Sequence, residues 1–176
     1  CFRNESVGNR IMNFYTYMAK LNSKKGINSV YDGDTISKLE VDLGFNIKYV
    51  NSFRIIGIDT PELRTKSKIE KIKGYQARTM LRLLVGNNQL AIKSITKKGT
   101  GKYGRLLGEL YIHQGVDLDK EGNIVNHNWI NAGNKLIECG LAVAYDGGTK
   151  VKDWSEDDSD IDEMDKMINR IKGKKE

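Results

Sequence analysis

Residues 53–62 read FRIIGIDTPE. The stretch alternates, with Phe53, Ile55 and Gly57 on one side and Arg54, Ile56 and Ile58 on the other, which is the period of two of a β-strand. Pro61, the single proline of the chain, stops the ladder because it has no N–H to donate. It also pushes Thr60 toward extended geometry. Asp59 and Glu62 then fall at the strand's mouth, around a stiff turn. One guanidinium on a strand and two carboxylates at its end are an unusual concentration of charge. Taken alone they also fit a charged strand end with a surface ion pair, so the neighbouring segments have to decide.

Upstream, residues 13–20 (NFYTYMAK) alternate aromatic and polar, as a first strand would. Ile27 to Tyr31 runs into Asp32-Gly33-Asp34-Thr35, where Asp-Gly signals a tight turn because glycine tolerates positive φ. Thr35 to Leu43 reads as a second strand, with Leu39, Val41 and Leu43 on one side and Lys38, Glu40 and Asp42 on the other. Residues 44–51 form a turn region leading back to Phe53. Carboxylates gather at the turns of this meander.

Downstream the period changes. Residues 64–73 read as a basic connection, and Gly74 to Leu84 as a helix with Ala77, Leu81 and Leu84 on one face beside Met80. Arg78 and Arg82 fall on its solvated face, and Gly86-Asn87-Asn88 ends it. Gln89 to Ile95 and Arg105 to Ile112 read as strands around TKKGTGKYG, a glycine-rich loop that carries Lys97, Lys98 and Lys102. Residues 116–125 (VDLDKEGNIV) imitate the start of a calcium-binding loop. Its twelfth position is Asn128, where a bidentate glutamate is required, so an ordinary hairpin turn is expected. Asn126 or Asn128 is expected to cap a helix carrying Trp129, Gly133, Leu136 and Ile137, with Gly140 as its stop. His113 and His127 are isolated and lack metal-ligand spacing.

At 176 residues, 39% hydrophobic and 30% charged, the chain fits one soluble domain with an appended tail. The expected boundaries are an extension over 1–12, a domain over 13–152 and a tail over 153–176. No run of about 18 apolar residues occurs, so no membrane span is expected. Cys1 and Cys139 are too few and too far apart for a disulfide framework, and Cys139 reads as a small hydrophobe. The chain starts at Cys1, with Met12 an alternative initiator. No charged-then-apolar leader is present, which favours an intracellular over a secreted location.

The net charge is +6, and its distribution says more. Residues 153–165 hold eight acids and no bases, whereas residues 1–152 hold 24 lysines and arginines against 14 acids. A body that basic favours a polyanionic partner, nucleic acid before a membrane surface. The tail places its acids first and bases last, as a helix dipole prefers. Ile161, Met164, Ile168 and Ile171 form an apolar stripe for docking on the domain, or for an acidic lid over a basic groove.

Three segments, YDGDT at 31–35, FRIIGIDTPE at 53–62 and GKYGRLLGELY at 101–111, together resemble the staphylococcal nuclease family, in an ordered match from about Asn13 to Tyr145. The resemblance implies an α+β, mainly β fold: a five-stranded OB-type barrel with three helices. It implies a Ca²⁺-dependent endonuclease acting on DNA and RNA with little sequence preference, leaving 3′-phosphate ends. Such an enzyme needs a cation on the non-bridging oxygens, an activated water and positive charge facing the five-coordinate transition state. Asp34, Asp59 and the Thr60 carbonyl are the hard oxygen ligands for the ion. Glu62 falls at the position of the general base, and Arg54 and Arg105 match the pair that clamps the phosphate, where a planar fork gives bidentate contacts. Lys102 and Tyr103 match contacts to a neighbouring phosphate, Tyr145 matches one of a tyrosine pair beside the nucleotide, and Asp32 matches a carboxylate behind the metal. A monomer is expected. The alternative is a catalytically inactive OB-type nucleic-acid-binding module of the same fold.

Overall fold

The computed structural model describes residues 14–95, 101–150 and 152–155, with positions 162 and 166. Expectations for the 1–12 extension, for Lys97 and Lys98, and for nearly all of the tail helix lie outside the described residues. Asp162 and Lys166 are themselves helical.

The fold is mainly β, with two α-helices among the described residues. Strands β1 (Phe14–Leu21), β2 (Thr35–Asp42) and β3 (Lys48–Ile55) form an antiparallel meander. A bulge between Ile36 and Leu39 shifts the register, so both residues turn inward and are fully buried. Leu43, expected on the same inner face, lies past the end of β2 and is exposed. The expected turn region 44–51 is shorter than predicted. Leu39 to Asp42 pair with Lys48 to Asn51, and the bend is made by Gly44, Phe45 and Asn46, all at positive φ.

The strand alternation predicted through Ile58 breaks at Gly57, whose φ is +79°. The chain corners there and starts a separate strand, β4 (Ile58–Asp59). Ile58 is therefore buried, like Ile55, instead of facing away from it. Helix α1 (Lys68–Val85) begins well before Gly74, because the Ser67 side chain accepts a hydrogen bond from Glu70 N at 3.2 Å. Much of the supposed basic connection is its first turns. Arg82, expected on a solvated face, donates to the Val30 carbonyl at 3.1 Å and ties α1 to the 3₁₀ turn Gly26–Ser29.

After β5 (Leu90–Ile95) comes β6 (Leu106–Leu118), which continues past Ile112 and turns at 119–123 into β7 (Ile124–Asn131). The hairpin is pinned by Asp119 Oδ1, which accepts from Asn123 N at 2.7 Å and Glu121 N at 3.0 Å. The ordinary turn expected there is what forms. The following helix is displaced from its expected start: Trp129 lies on β7, and Asn131, not Asn126 or Asn128, caps α2 (Ala132–Glu138). The last strand is β8 (Val143–Ala144).

Pairing runs β3-β2-β1-β5-β6-β7, and the first three residues of β6 also pair in parallel with β3. The strands β3, β2, β1, β5 and β6 thus close into a ring, with β7 outside it. At the closing pairs Gly108 lies between β5 and β3, where a Cβ would stand 2.6 Å from the Lys93 carbonyl oxygen and 3.2 Å from Phe53 Cε2. Phe53, Ile36, Leu39, Leu110 and Ile112 fill the interior, and Met80 and Leu81 of α1 and Leu136 of α2 join the same core.

Candidate active site

Two backbone features bring the acidic segments together. A Cβ on Gly33 would stand 2.8 Å from Ala77 Cβ and 3.0 Å from Thr60 Cβ. Only the bare backbone lets the 32–34 bend nest between α1 and the 59–62 segment. A helical turn before Ala77, Gly74 allows a similar approach, with its Cβ position 3.0 Å from the Pro61 carbonyl oxygen. Glu62 N donates to Glu70 Oε1 at 3.2 Å. Helix α1 therefore braces both acidic segments from behind.

Asp34 is buried and ion-paired with Arg54, which projects from β3. Arg54 Nη2 also reaches the Ile58 carbonyl at 3.5 Å, across the corner at Gly57. Thr35 Oγ1 donates to Asp34 Oδ1 at 2.8 Å, and Asp32 Oδ1 accepts from Asp34 N. Burial, then the charge of Asp34 and a hydrogen bond with it, push the Asp32 carboxyl up to about 7. Desolvation and a like charge both disfavour ionising the second acid of such a pair.

Asp59 and Thr60 are buried, while Glu62 is exposed beside them. Asp59 Oδ2 has no hydrogen-bond partner among the described residues. An orphaned buried carboxylate oxygen is costly and calls for a partner. Among the described residues no three His, Cys, Asp or Glu side chains converge closely enough to hold a metal ion by themselves. A cation here would take Asp34, Asp59 and a backbone carbonyl such as that of Thr60, completed by water, a set that suits a hard divalent ion.

Lys150 joins the site without any expectation from the sequence. Its Nζ lies 2.9 Å from Asp59 Oδ1 and 2.8 Å from Glu62 Oε1. Partial burial weakens the ammonium, but the contacts to Glu62 and Asp59 together outweigh this and hold its pKa above the usual lysine range. Nothing local in the sequence signals the contact, because 88 residues separate Lys150 from Glu62.

The remaining predicted residues are spread along the rim. Arg105 directly precedes Leu106, which pairs with Phe53, so its backbone sits one strand away from Arg54; its Nε is buried without a partner among the described residues. Tyr103 is 92% exposed and holds φ +67° in a short 3₁₀ turn, Lys102–Gly104. For Lys102 only the backbone is described. Tyr145 follows β8, which pairs with β4, and its N–H donates to the Gly57 carbonyl at 2.9 Å. Its hydroxyl is turned away to the Gly148 carbonyl at 2.6 Å. The histidines expected to be isolated meet across β6 and β7: His113 Nε2 lies 3.1 Å from His127 Nδ1, with Trp129 edge-on to His113.

Comparison with families of known proteins matches residues 52–170 to the family described as Staphylococcal nuclease homologue. The chain belongs to this family. The match takes in FRIIGIDTPE and GKYGRLLGELY and, with β4 and β8, both strands of the short sheet under the site. It starts after the 31–35 segment, so Asp32 and Asp34 join the site through the geometry at Gly33 and Arg54 instead. Membership of the staphylococcal nuclease homologues places the chain on a nuclease or nucleic-acid-binding fold. Among curated proteins, none matches. Among the described residues no helix is long and apolar enough to cross a membrane.

Proposed function

We propose that the chain is a Ca²⁺-dependent endonuclease that hydrolyses DNA and RNA with low sequence specificity, acting as a monomer. The observation that carries this reading is the gathering of Asp34, Arg54, Asp59, Thr60 and Glu62 around α1 by the close packing at Gly33 and Gly74. The five-strand ring supports reading the fold as an OB-type barrel, whose rim is a frequent place for nucleic-acid strands. The resemblance implies three helices in that barrel fold besides the helical tail, and two α-helices lie among the described residues.

In this reading Asp34, Asp59 and the Thr60 carbonyl hold the ion, and the orphaned Asp59 Oδ2 supports the assignment. Bound there, Ca²⁺ would supply Lewis-acid stabilisation to a phosphate oxygen. Glu62, exposed at the mouth, orients the attacking water and takes its proton. Arg54 and Arg105 face the charge that accumulates on the phosphorane oxygens, with the fork of each guanidinium suited to two oxygens. Lys102, Tyr103 and Tyr145 hold neighbouring stretches of the strand, and Asp32 steadies Asp34 from behind. The basic body favours contacts to phosphate over base edges.

A non-catalytic OB-type binding module is the second reading, and the neutralisation of Glu62 by Lys150 is the observation that favours it. Incubating single-stranded and duplex DNA and RNA with the protein, first with excess chelator and then with Ca²⁺ or Mg²⁺ restored, tests the proposal. Cleavage should vanish with chelator and return better with Ca²⁺ than with Mg²⁺, leaving 3′-phosphate ends. Full activity in chelator would remove the metal from the mechanism.

A further inference from the structure

The segment 145–150 (YDGGTK) is folded back on itself at the mouth of the site. Tyr145 N is fixed to the Gly57 carbonyl, the Tyr145 hydroxyl donates to the Gly148 carbonyl at 2.6 Å, and Gly148 N donates to Asp146 Oδ1 at 2.9 Å. Gly147 takes φ +96°, which permits the reversal. This small loop carries Lys150 back to Asp59 and Glu62. A single ammonium then bridges one buried carboxylate and one exposed carboxylate.

We propose that Lys150 is a resident counter-ion that competes with the divalent cation: its ammonium must leave Asp59 before the ion can bind, so that Lys150 sets the metal affinity of the site. The proposal rests on the reading of Asp59 as a metal ligand. A calcium ion sits about 2.3–2.6 Å from each ligand oxygen, and Lys150 Nζ already lies 2.9 Å from Asp59 Oδ1. Both cations draw on the same carboxylate, the ammonium on Oδ1 and the ion on the orphaned Oδ2, and in a partly desolvated pocket their mutual repulsion is poorly screened.

A lysine is well suited to this role. Its charge is a point at the end of a flexible four-carbon stem, and its side chain is 47% exposed, so it can withdraw to solvent without moving the backbone. Withdrawal has a second consequence. The same ammonium neutralises Glu62, so the displacement that admits the metal also frees the carboxylate that is to accept a proton from water. Metal loading and unmasking of the base become a single event.

Calorimetric titration of Ca²⁺ into the nucleic-acid-free full chain tests this, with wild type, Lys150→Met, Lys150→Arg and Asp59→Asn compared, and melting of each protein followed without metal. Lys150→Met should bind Ca²⁺ more tightly by a factor on the order of ten, within the usual range of coupling between two ligands, and should melt lower than wild type without the ion. Lys150→Arg, which keeps the charge, should stay close to wild type, and Asp59→Asn should lose binding. If Lys150→Met does not fold, Lys150→Gln takes its place with the same expectation. Equal affinities for wild type and Lys150→Met, with Asp59→Asn still defective, would overturn the competition while leaving the metal site standing. Tightening by Lys150→Arg equal to that by Lys150→Met would also overturn it, because charge would not be the cause. Absence of Ca²⁺ binding in wild type, or binding indifferent to Asp59→Asn, would overturn the metal reading itself and the proposal with it.

Discussion

Arg54 faces two demands at the level of single residues. It neutralises the buried Asp34, and its second nitrogen reaches over the Gly57 corner toward the Ile58 carbonyl. In the proposed reaction it also meets a phosphate. Removing it and shortening its fork should separate these roles. Arg54→Ala leaves a buried carboxylate without its partner, a loss on the order of 3–5 kcal/mol in stability. Arg54→Lys keeps the charge near Asp34 and should lose much less stability, while cleavage still falls by about 10²–10³ because the two-pronged contact is gone. Urea denaturation and single-turnover cleavage on both variants check this. A negligible loss of stability in Arg54→Ala would show that the pair with Asp34 carries no structural weight.

The elements owe their positions to a few close approaches, and these divide what the sequence reveals from what it hides. Gly108 lets β6 pass against the Lys93 carbonyl and Phe53 as the ring closes. Gly108→Ala should therefore destabilise the fold by about 1–3 kcal/mol through overpacking, seen as a lower urea midpoint with unchanged slope. An unshifted midpoint would mean that the close approach of β6 to the Lys93 carbonyl relaxes without cost. Stretches with clean alternation, such as Leu39 to Asp42 of β2 and the first half of β6, are directly readable, because period two and a half-buried face are the same fact. The bulge in β2, the corner at Gly57 and the extension of β6 into a hairpin depend on partners distant in sequence. The start of α1 is hidden differently, since the Ser67 cap and Glu70 are concealed in a lysine-rich stretch. Asp34, Arg54, Asp59 and Glu62 are legible as charged types at strand ends. Lys150 is not, because the β4–β8 pairing that delivers it joins segments far apart in the chain.

Across the whole molecule the charge is segregated: a basic body, with acids concentrated after residue 152. Trp154 is buried, with the Lys152 ammonium 4.3 Å over its ring, so the chain is anchored on the body just beyond the Lys150 loop. A basic surface alone would serve a binding module as well as an enzyme; the proposal of an enzyme rests on the cluster of Asp34, Arg54, Asp59 and Glu62. The most direct measurement pairs catalysis with binding in one preparation: single-turnover cleavage of a labelled oligonucleotide with Ca²⁺, and its affinity, for wild type and Glu62→Gln. The expected result is measurable cleavage by wild type, a rate lower by about 10²–10⁴ for Glu62→Gln, and similar affinity for both. Cleavage at equal rates would remove Glu62 from the mechanism, and binding without any cleavage by wild type would contradict the enzyme and leave the binding module.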